Sequence, residues 1–445
     1  MNAKARKPFF GWWVVAAGFF IMATCYTAMV NGMSLFQPHI VSDLGITVGE
    51  YNTANSLSTL VSIVGALVIG GVVDRFPGRV LGGISVLITA LVLIGFSQVS
   101  ELWQLMLFFA IDGLVVIAGT RLLISIVVTN WFVKKRGLAV ALALSGSGFG
   151  GAVLSPIISG LIVSFGWRTA FMVLAGVCFV LAFPVTVATF YSRPAAKGLE
   201  PYGIGATAGA KDSSGGAAKV TETAVIDIPW KIVRKHYSFF LVVAGFFIMG
   251  ILNGAAIPNS ITNITSVVVD GQTIVTGGHD AAFASMFFSF NMVVVIAAKI
   301  GTGAVYDRFG VRAGVIMGSF CCIAGLICMC FPATDIAPMG SALFFGIGTC
   351  MGTVAPPLVA AKLFGAGEIG KVTGWLTSLQ MLGYALGTIT SGRVFDLFLS
   401  FAPMWAACAV GGVAMLALLL ASEPAAKRLA EKVKAEKAAL EGEAA

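Results

Sequence analysis

The sequence predicts an all-α membrane protein with twelve transmembrane helices in two pseudo-symmetric six-helix bundles. Its composition is the first observation: of 445 residues, 58% are hydrophobic and 11% are charged, and the mean hydropathy is +0.94. A soluble domain of this length needs more charge to cover its surface. The second observation is a set of long apolar runs, because about 18 or more apolar residues in a row indicate a membrane span. The third is a repeat of short motifs between the two halves of the chain.

Hydropathy places twelve membrane-spanning segments along the chain. Each is mainly apolar and long enough to cross a bilayer as a helix, which takes about 20 residues. The basic N-terminus leads directly into the first segment, which is too long for the core of a signal peptide and is expected to remain in the mature protein. The predicted spans, numbered 1 to 12, are 10–37, 50–73, 79–98, 102–129, 137–163, 168–191, 237–263, 281–305, 312–331, 337–361, 371–397 and 402–422.

A polar stretch at the centre of the chain separates two groups of six spans. Residues 203–221 of this stretch are rich in Gly, Ala, Ser, Lys and Thr, a composition typical of a flexible linker. The tail alternates Ala, Lys and Glu and is expected to be helical or disordered. The predicted parts are an N-terminal bundle at 1–191, a cytoplasmic central loop at 192–236, a C-terminal bundle at 237–422 and a cytoplasmic tail at 423–445.

Basic residues are concentrated at alternate ends of the predicted spans. With the N-terminus inside, nearly all lysines and arginines lie on the cytoplasmic side, and the opposite side has almost none apart from Arg168. This bias follows the positive-inside rule and predicts that both termini are cytoplasmic. The net charge of +8 therefore reflects topology, and not nucleic-acid binding, which needs a basic face on a soluble surface. We expect a multi-pass protein of the plasma membrane, specifically the inner membrane of a bacterium.

The cysteines give no sign of a metal or disulfide site. All eight lie in apolar runs, and none has metal-ligand spacing with a histidine. Buried cysteine behaves as a small hydrophobic residue. The sequence also contains no catalytic cluster and no ATP-binding motif. We therefore predict that the protein is not an enzyme and that it has no cofactor and no metal.

A short motif follows span 2 and recurs after span 8, in the form G-x-x-x-D-R-F followed by a glycine and an arginine. An aspartate at the end of a helix can pair with a nearby arginine or bind the N-terminus of an adjacent helix. Such contacts would latch one half against the other in one conformation; the alternative is turn formation combined with positive-inside topology. The residues of this predicted latch are Gly70, Asp74, Arg75, Arg79, Gly303, Asp307, Arg308 and Arg312.

A second repeat consists of glycines in spans 5 and 11, with the spacing G-x8-G-x3-G in both. Small residues in membrane helices let two backbones approach closely. The loop motif and the glycine pattern both recur after nearly the same number of residues. This agreement indicates that the two halves share one architecture, as in many transporter folds. The glycines are Gly137, Gly146 and Gly150 in span 5, and Gly374, Gly383 and Gly387 in span 11.

The two loop motifs, the twelve spans and the long middle loop resemble the major facilitator superfamily over nearly the whole chain. The resemblance implies two bundles that rock about a central site in alternating access. Within the superfamily, the chain is similar to the monocarboxylate and oxalate–formate transporter branch, at residues 10–15 and 131–139 and at Lys299 in span 8, which is followed by Gly303 and Asp307. This similarity implies gradient-driven transport of small organic anions such as lactate, formate or oxalate, by proton-coupled symport or by anion antiport.

The chain departs from that branch at three positions. Lys299 stands where the family usually has arginine, and lysine lacks the planar fork that grips a carboxylate. Val295 stands where monocarboxylate carriers tend to have an aspartate, and neutral Asn31 lies near the place where they often have a lysine. Substrate and coupling mode can therefore both differ from the family's.

Ionisable residues inside spans are costly, and each is a functional candidate. Arg121 lies near the middle of span 4, too deep to reach the interface comfortably, and is expected to contact a substrate anion or else to bind backbone carbonyls. Lys299 could extend toward the cytoplasm, but the resemblance favours a substrate contact. The two come from opposite halves, so an anion held between them would draw the halves together. Neither has a basic counterpart in the other half, so an asymmetric site is expected.

Three further ionisable residues lie in the spans. Asp112 in span 4 is far enough from Arg121 that, at 100° per residue, the two point to opposite faces. It is either a proton carrier or a partner of another helix. Arg393 and Asp396 are three residues apart near the outer end of span 11 and are expected to pair on one helix face.

Polar side chains within the spans complete the predicted cavity, although each is also a candidate for a hydrogen bond between helices. The predicted substrate-binding residues are Arg121, Lys299, Tyr26, Asn31, Asn253, Asn291, Gln380 and Tyr384, and Asp112 is the proton-coupling candidate.

Two alternatives to a carrier of small anions remain open. One is a carrier or exporter of a larger amphipathic anion or a drug, although Gly151 stands where drug antiporters usually have proline. The other is a receptor or sensor on the same fold, which would need an extended soluble domain. The expected partners are a small organic anion and membrane lipid, with no nucleic acid, and the protein is expected to be monomeric.

Overall fold

The structure, a computed structural model, describes residues 9–132, 135–203, 228–269, 272–365 and 369–443. Helices fill most of these ranges and match the predicted spans, so α1 to α12 are numbered by span. In the first half they are α1 Gly11–Leu44, α2 Val48–Arg75, α3 Gly78–Ser97, α4 Leu102–Trp131 and the run Arg136–Thr189, which contains α5 and α6. In the second half they are α7 Tyr237–Ile264, the run Ala281–Met329, which contains α8 and α9, α10 Ile336–Phe364, α11 Ile369–Phe398 and α12 Ala402–Glu443.

The two long runs are each broken by one glycine. Gly166 has φ 81° and separates α5 (136–165) from α6 (167–189). Gly310 has φ 84° and separates α8 (281–309) from α9 (311–329). Positive φ of this size is disfavoured for residues with a Cβ, which explains glycine at both turns. Gly310 belongs to the second loop motif, whereas the first motif turns at Pro77, whose ψ of 134° ends α2 before α3 begins at Gly78.

Three of the helices are composite. Helices α1 and α4 each contain a π-helical segment between two α-helical ones, and α10 is interrupted at Cys350. The segments are Gly11–Ile21, Met22–Asn31 (π) and Met33–Leu44 in α1; Leu102–Val116, Ile117–Arg121 (π) and Leu122–Trp131 in α4; and Ile336–Thr349 and Met351–Phe364 in α10.

The lengths of the helices agree with a membrane protein. Among the described residues, nine helical segments are long and apolar enough to cross a bilayer, and one of them, Leu138–Thr189, holds both α5 and α6. The remaining two, α2 and α11, are helices of 28 and 30 residues. The predicted fold class of twelve helices is confirmed.

Short elements lie between the long helices. A hairpin of β1 Ser266–Val269 and β2 Gln272–Val275 connects α7 to α8, with Ser266 opposite Val275 and Val269 opposite Gln272. No strand was predicted there. The hairpin leads to Asp280, whose Oδ1 accepts the Phe283 N–H at 2.8 Å and so caps α8. A 3₁₀ turn, Pro194–Lys197, and a one-turn helix, Trp230–Val233, lie near the two ends of the central loop.

Contacts divide the chain into two units. Unit 1 comprises 1–44 and 60–214, and unit 2 comprises 45–59 and 215–445. The predicted limits of the two bundles, the central loop and the tail stay predictions. The assignment of 45–59, which covers the connection before α2 and the first turns of α2, to unit 2 was not predicted.

In unit 1, the repeated glycines lie where α5 crosses α1. A Cβ on Gly146 would lie 2.2 Å from the carbonyl oxygen of Phe19, and one on Gly150 would lie 2.0 Å from that of Ala23. These distances are far below van der Waals contact. Only glycine allows the two backbones to approach this closely.

In unit 2, the corresponding glycines lie where α11 crosses α7. A Cβ on Gly383 or Gly387 would lie 2.2 Å from the carbonyl oxygen of Phe247 or Ile251, respectively. The third repeated glycine, Gly374, has no neighbouring atom within 4 Å. The repeat therefore records one helix crossing that occurs in both halves, and two of its three glycines are needed for that crossing.

Asp396 of α11 binds the N-terminus of α2, within unit 2. Its Oδ1 accepts the Gly49 N–H at 3.1 Å and its Oδ2 accepts the Thr47 hydroxyl at 2.9 Å. Thr47 also caps α2 by accepting the Glu50 N–H at 3.1 Å, and Glu50 accepts the Thr47 N–H at 2.9 Å, which is a capping box. The predicted pairing of Asp396 with Arg393 is wrong, because the carboxylate is taken by free N–H and O–H donors at the start of a helix while Arg393 is exposed.

We expect Asp396→Ala to destabilise unit 2 by about 2 kcal/mol or more, because hydrogen bonds to a carboxylate contribute roughly 1.5–3 kcal/mol each. Asp396→Asn should cost less, since an acceptor remains and only the charge at the helix N-terminus is lost. Thermal unfolding in detergent measures both. Arg393→Ala, an exposed residue on the same helix, is the control, and equal unfolding temperatures for Asp396→Ala and Arg393→Ala would contradict the assignment.

Candidate functional site

Each unit contains a group of polar side chains that lies within its membrane helices. In unit 1 the group is on α1 and α4; in unit 2 it is on α7, α8, α10 and α11. Because the two groups belong to different units, each is described separately.

The candidate residues of unit 1 fall in its two π-helical segments. Tyr26 and Asn31 lie in Met22–Asn31 of α1, and Arg121 ends Ile117–Arg121 of α4. A π-helical turn disrupts the regular backbone hydrogen bonding, and such segments are frequent at functional sites. These π-helical segments were not predicted.

Arg121 presents a charged side chain from the middle of a membrane-spanning helix. The side chain is exposed, and it has no ion-pair partner among the side chains that the structure describes. Its own carbonyl accepts the Ser125 hydroxyl at 2.7 Å. An arginine stays charged in a protein and offers five N–H donors in a planar fork. Within the hydrocarbon layer, such a group needs water or an anion beside it.

The polar side chains of α1 have different surroundings. Asn31 Nδ2 donates to the Ser147 carbonyl of α5 at 3.1 Å, and Thr27 donates to the same oxygen at 3.3 Å. This contact joins two helices, which is the packing alternative for Asn31. Tyr26 is half-buried, and its hydroxyl has no hydrogen-bond partner among the described residues. Substrate contact by either residue stays a prediction.

Asp112 is an acid buried within α4. It is 1% exposed, whereas Arg121 is exposed. The prediction that Asp112 and Arg121 point to opposite faces of the helix requires a uniform α-helix with 100° per residue. The π-helical segment Ile117–Arg121 lies between them, so that angle does not apply, although the difference in burial places them in different surroundings.

Three polar side chains of unit 2 meet at Gly352, in the second segment of α10. Thr349 Oγ1 donates to Asn253 Oδ1 of α7 at 3.2 Å. On the other side, a Cβ on Gly352 would lie 2.5 Å from Gln380 Nε2 and 2.9 Å from Asn253 Nδ2. Two amide nitrogens therefore converge over one glycine, and neither has an acceptor among the described residues. Asn253 is 5% exposed, so its NH₂ group lies in a largely buried part of unit 2.

The local sequence of α10 explains why this place is irregular. Helix α10 is interrupted at Cys350, and Pro356 and Pro357 follow inside its second segment. A proline has no N–H, so the carbonyls four residues earlier, at Gly352 and Thr353, lose their helical donor. Sequence analysis missed Thr349 and Gly352, and the double proline in the middle of a predicted span was the available signal.

Lys299 of α8 lies near the interruption in α10. It is half-buried and within electrostatic range of Cys350. The Cys350 thiol in turn donates to the carbonyls of Gly346 at 3.4 Å and Val295 at 3.6 Å. Lys299 and the amide pair thus both lie near the interruption in α10.

The other two candidates of unit 2 take part in helix packing. Asn291 Nδ2 of α8 donates to the Ala342 carbonyl of α10 at 2.9 Å. The backbone of Tyr384 lies against α7, because a Cβ on Gly254 would be 1.9 Å from the Tyr384 carbonyl oxygen. The Tyr384 side chain is half-buried. Roles for both in binding stay predictions.

The predicted latch is only partly within the described side chains. Gly70, Asp74 and Asp307 lie outside them. Arg79 contacts Tyr191 of its own unit, with the guanidinium 5.1 Å from the ring centre. In unit 2, Arg308 lies over Phe309 at 5.4 Å. Gly303 has no atom within 4 Å of a built Cβ, so close packing does not explain that glycine.

Comparisons with known proteins agree with this architecture. The sequence profile described as Major Facilitator Superfamily matches residues 15–388 and 262–443. Similar curated proteins include MFS transporter asaE of Aspergillus flavus, 24% identical over 86% of this chain and 80% of its own length. Monocarboxylate transporter 12 of Rattus norvegicus is 24% identical over 96% of this chain and 88% of its own length, and human monocarboxylate transporter 2 is 26% identical with the same coverage.

Solved structures show the same fold. The nucleoside transporter NupG superposes with a TM-score of 0.66 at 14% identity, over 93% of this chain and 99% of its own. A bacterial homologue of the human lysosomal transporter Spinster superposes with a TM-score of 0.63 at 12% identity, over 97% of this chain and 98% of its own. Profile, relatives and fold agree, and this chain therefore belongs to the Major Facilitator Superfamily, as a multi-pass membrane carrier with relatives among the monocarboxylate transporters.

Proposed function

We propose that the protein is a secondary active transporter of small organic anions, namely a monocarboxylate such as lactate or formate, or oxalate. The observation that carries the proposal is Arg121, an exposed guanidinium at the end of a π-helical segment in the middle of α4. A guanidinium binds a carboxylate with two parallel hydrogen bonds. Relatives named monocarboxylate transporters, which align over nearly the whole chain, support the same substrate class.

Unit 2 contains its own set of candidate groups for a small organic anion. Lys299 contributes a positive charge, and Asn253 and Gln380 contribute neutral N–H donors over Gly352. Donors without an acceptor among the residues that the structure describes suit a carboxylate or carbonyl oxygen of a ligand. Lys299 stands where the family usually has arginine, and its ammonium is a point charge that lacks the directional N–H pair of a guanidinium. The amides of Asn253 and Gln380 supply directional N–H donors in its place.

Coupling and topology are proposed as the sequence predicts them. Transport proceeds by alternating access, as proton symport or anion antiport, with Asp112 as the proton carrier and the two loop motifs as a conformational latch. Both termini are cytoplasmic, the protein lies in the plasma membrane of a bacterium, and it works as a monomer. The carrier binds the anion with different affinity in its two states, which is what drives the change.

The proposal is tested by uptake of labelled lactate, formate and oxalate into proteoliposomes, with and without a pH gradient and with and without internal anion. We expect saturable uptake of at least one of the three. Stimulation by an inward proton gradient indicates symport, and dependence on internal anion indicates antiport. No uptake of any small carboxylate, together with export of a larger amphipathic anion, would contradict the proposal and support the exporter alternative.

Gln380→Leu tests the amide pair. We expect a rise in KM of about tenfold, because one hydrogen bond to a charged group contributes roughly 1.5 kcal/mol, with an unchanged unfolding temperature. Thr377→Val, one turn earlier on α11, is the control, because the Thr377 hydroxyl bonds only carbonyls of its own helix. A fall in unfolding temperature without a change in KM would assign Gln380 to helix packing.

A further inference from the structure

A second polar site lies in unit 1, away from the candidate substrate residues. A cavity of about 420 Å³ opens where α2 ends and α3 begins, beside α4 and the chain that follows α6. Its lining includes three arginines, Arg75, Arg79 and Arg193, all with exposed side chains. No acidic residue is among the described residues of the lining, so the cavity concentrates positive charge.

The wall of this cavity is held by hydrogen bonds. Asn130 Nδ2 donates to the Ser192 carbonyl at 3.1 Å, and Trp131 Nε1 donates to the Tyr191 carbonyl at 2.6 Å. Arg79 lies over the Tyr191 ring and donates to its hydroxyl at 3.4 Å. Ser192 Oγ also accepts the N–H at the start of α3, from Gly78. The Arg79 guanidinium is therefore oriented before any ligand arrives, which lowers the cost of binding.

Aromatic side chains next to the cavity mark its depth in the membrane. Phe10 packs on Trp131 at 5.5 Å and on Tyr191 at 6.1 Å. The Lys197 ammonium lies 5.0 Å from the Phe10 ring and 4.7 Å from the Tyr191 ring. Aromatic and basic side chains collect where the hydrocarbon layer meets the lipid headgroups. The cavity is therefore at headgroup level.

Apolar surface adjoins the arginines. Phe76, which lines the cavity, is 53% exposed, and Val80 on the next turn of chain is 42% exposed. A free inorganic anion cannot make apolar contacts with Phe76 and Val80, whereas the acyl chain of a lipid can pack against both side chains. The surroundings therefore favour a ligand that combines an anionic head with an apolar tail.

We propose that this cavity binds a phosphate-bearing anion, presented as the headgroup of an anionic phospholipid. Guanidinium groups match phosphate oxygens with paired hydrogen bonds. Basic cavities between membrane helices at the leaflet surface suit anionic headgroups, and the acyl chains run along the apolar side chains toward the bilayer. This site uses none of the residues assigned to the transported anion, although Arg75 and Arg79 also belong to the proposed latch.

The test is native mass spectrometry of the full chain, purified in detergent and titrated with phosphatidylglycerol or phosphatidylcholine. We expect phosphatidylglycerol to bind preferentially to the wild type. The double variant Arg79→Gln/Arg193→Gln should bind it about 30-fold more weakly, from roughly a fivefold loss for each basic side chain beside an anionic lipid. The control is Lys231→Gln/Arg234→Gln, which removes the same charge from exposed residues of unit 2 near the end of the central loop.

A charge-preserving variant and a soluble ligand complete the design. Arg79→Lys/Arg193→Lys should retain most of the preference for phosphatidylglycerol and shows whether folding is intact. Stabilisation by inorganic phosphate that depends on the same arginines would support the phosphate site and assign it to a soluble ligand. Equal losses in the double variant and the control, or equal binding of both lipids by the wild type, would overturn the proposal.

Discussion

Arg121→Gln is expected to reduce uptake of small organic anions about 100-fold or more in kcat/KM. Truncating one partner of a desolvated charge pair costs about 2–5 kcal/mol, and each 1.4 kcal/mol is a factor of ten. The substitution keeps a polar, hydrogen-bonding side chain at the end of the π-helical segment Ile117–Arg121, so the loss reports mainly on the charge. Proteoliposome uptake with the preferred carboxylate measures it.

Two companion variants make this result specific. Lys299→Gln should also lower transport, but less, because a lysine makes a point-charge contact and the amides of Asn253 and Gln380 remain. Arg393→Gln, an exposed cation of α11, should transport as the wild type does. Unchanged carboxylate transport in both Arg121→Gln and Lys299→Gln would remove the basis for anion binding at these residues.

Gly387→Ala is expected to destabilise the protein by about 2 kcal/mol. The new methyl group would lie 2.2 Å from the carbonyl oxygen of Ile251, where a C···O contact needs about 3.3 Å, so α7 and α11 must separate by about 1 Å. Overpacking of this kind costs about 1–3 kcal/mol or more, which exceeds the gain of roughly 1 kcal/mol from replacing glycine in a helix. Thermal unfolding in detergent should show the loss.

The chain offers matched controls for this prediction. Gly374→Ala makes the same change on the same helix, with no atom within 4 Å, and should be neutral or slightly stabilising. In unit 1, Gly150→Ala should behave as Gly387→Ala does, because its methyl would lie 2.0 Å from the Ala23 carbonyl oxygen, whereas Gly160→Ala, with open space around it, should be tolerated. If Gly374→Ala were as harmful as Gly387→Ala, the crossing would not explain the repeat.

The repeats illustrate what can be read from one sequence. The spacing of Gly146 and Gly150 recurs at Gly383 and Gly387, and the structure shows that both pairs lie at the same helix crossing. The pattern was visible because a close crossing forbids any side chain larger than hydrogen. Gly374, the remaining glycine of the repeat in unit 2, has no such constraint. The sequence alone therefore predicted one more glycine at the crossing than the structure requires.

The charged residues of the candidate site could be predicted from the sequence, whereas the contacts of its polar residues could not. Intramembrane cations stand out in any hydrophobic chain, so Arg121 and Lys299 were identified without a structure. Asparagine gives no comparable signal. The structure finds Asn31 and Asn291 bound to carbonyls of neighbouring helices and Asn253 directed over Gly352. The three asparagines differ in the groups that the neighbouring helix places beside them. The local sequence does not encode these contacts.

The sequence by itself determined the twelve spans, the duplicated halves and the superfamily, because burying apolar surface in a bilayer requires long apolar runs that are visible locally. Only the tertiary structure decided that 45–59 packs with unit 2, that Asp396 binds the start of α2, and that two amides converge over Gly352. These contacts join residues far apart in the chain. They depend on how helices cross and on where a helix is irregular, and a single side chain can satisfy its hydrogen bonds with any of several neighbours.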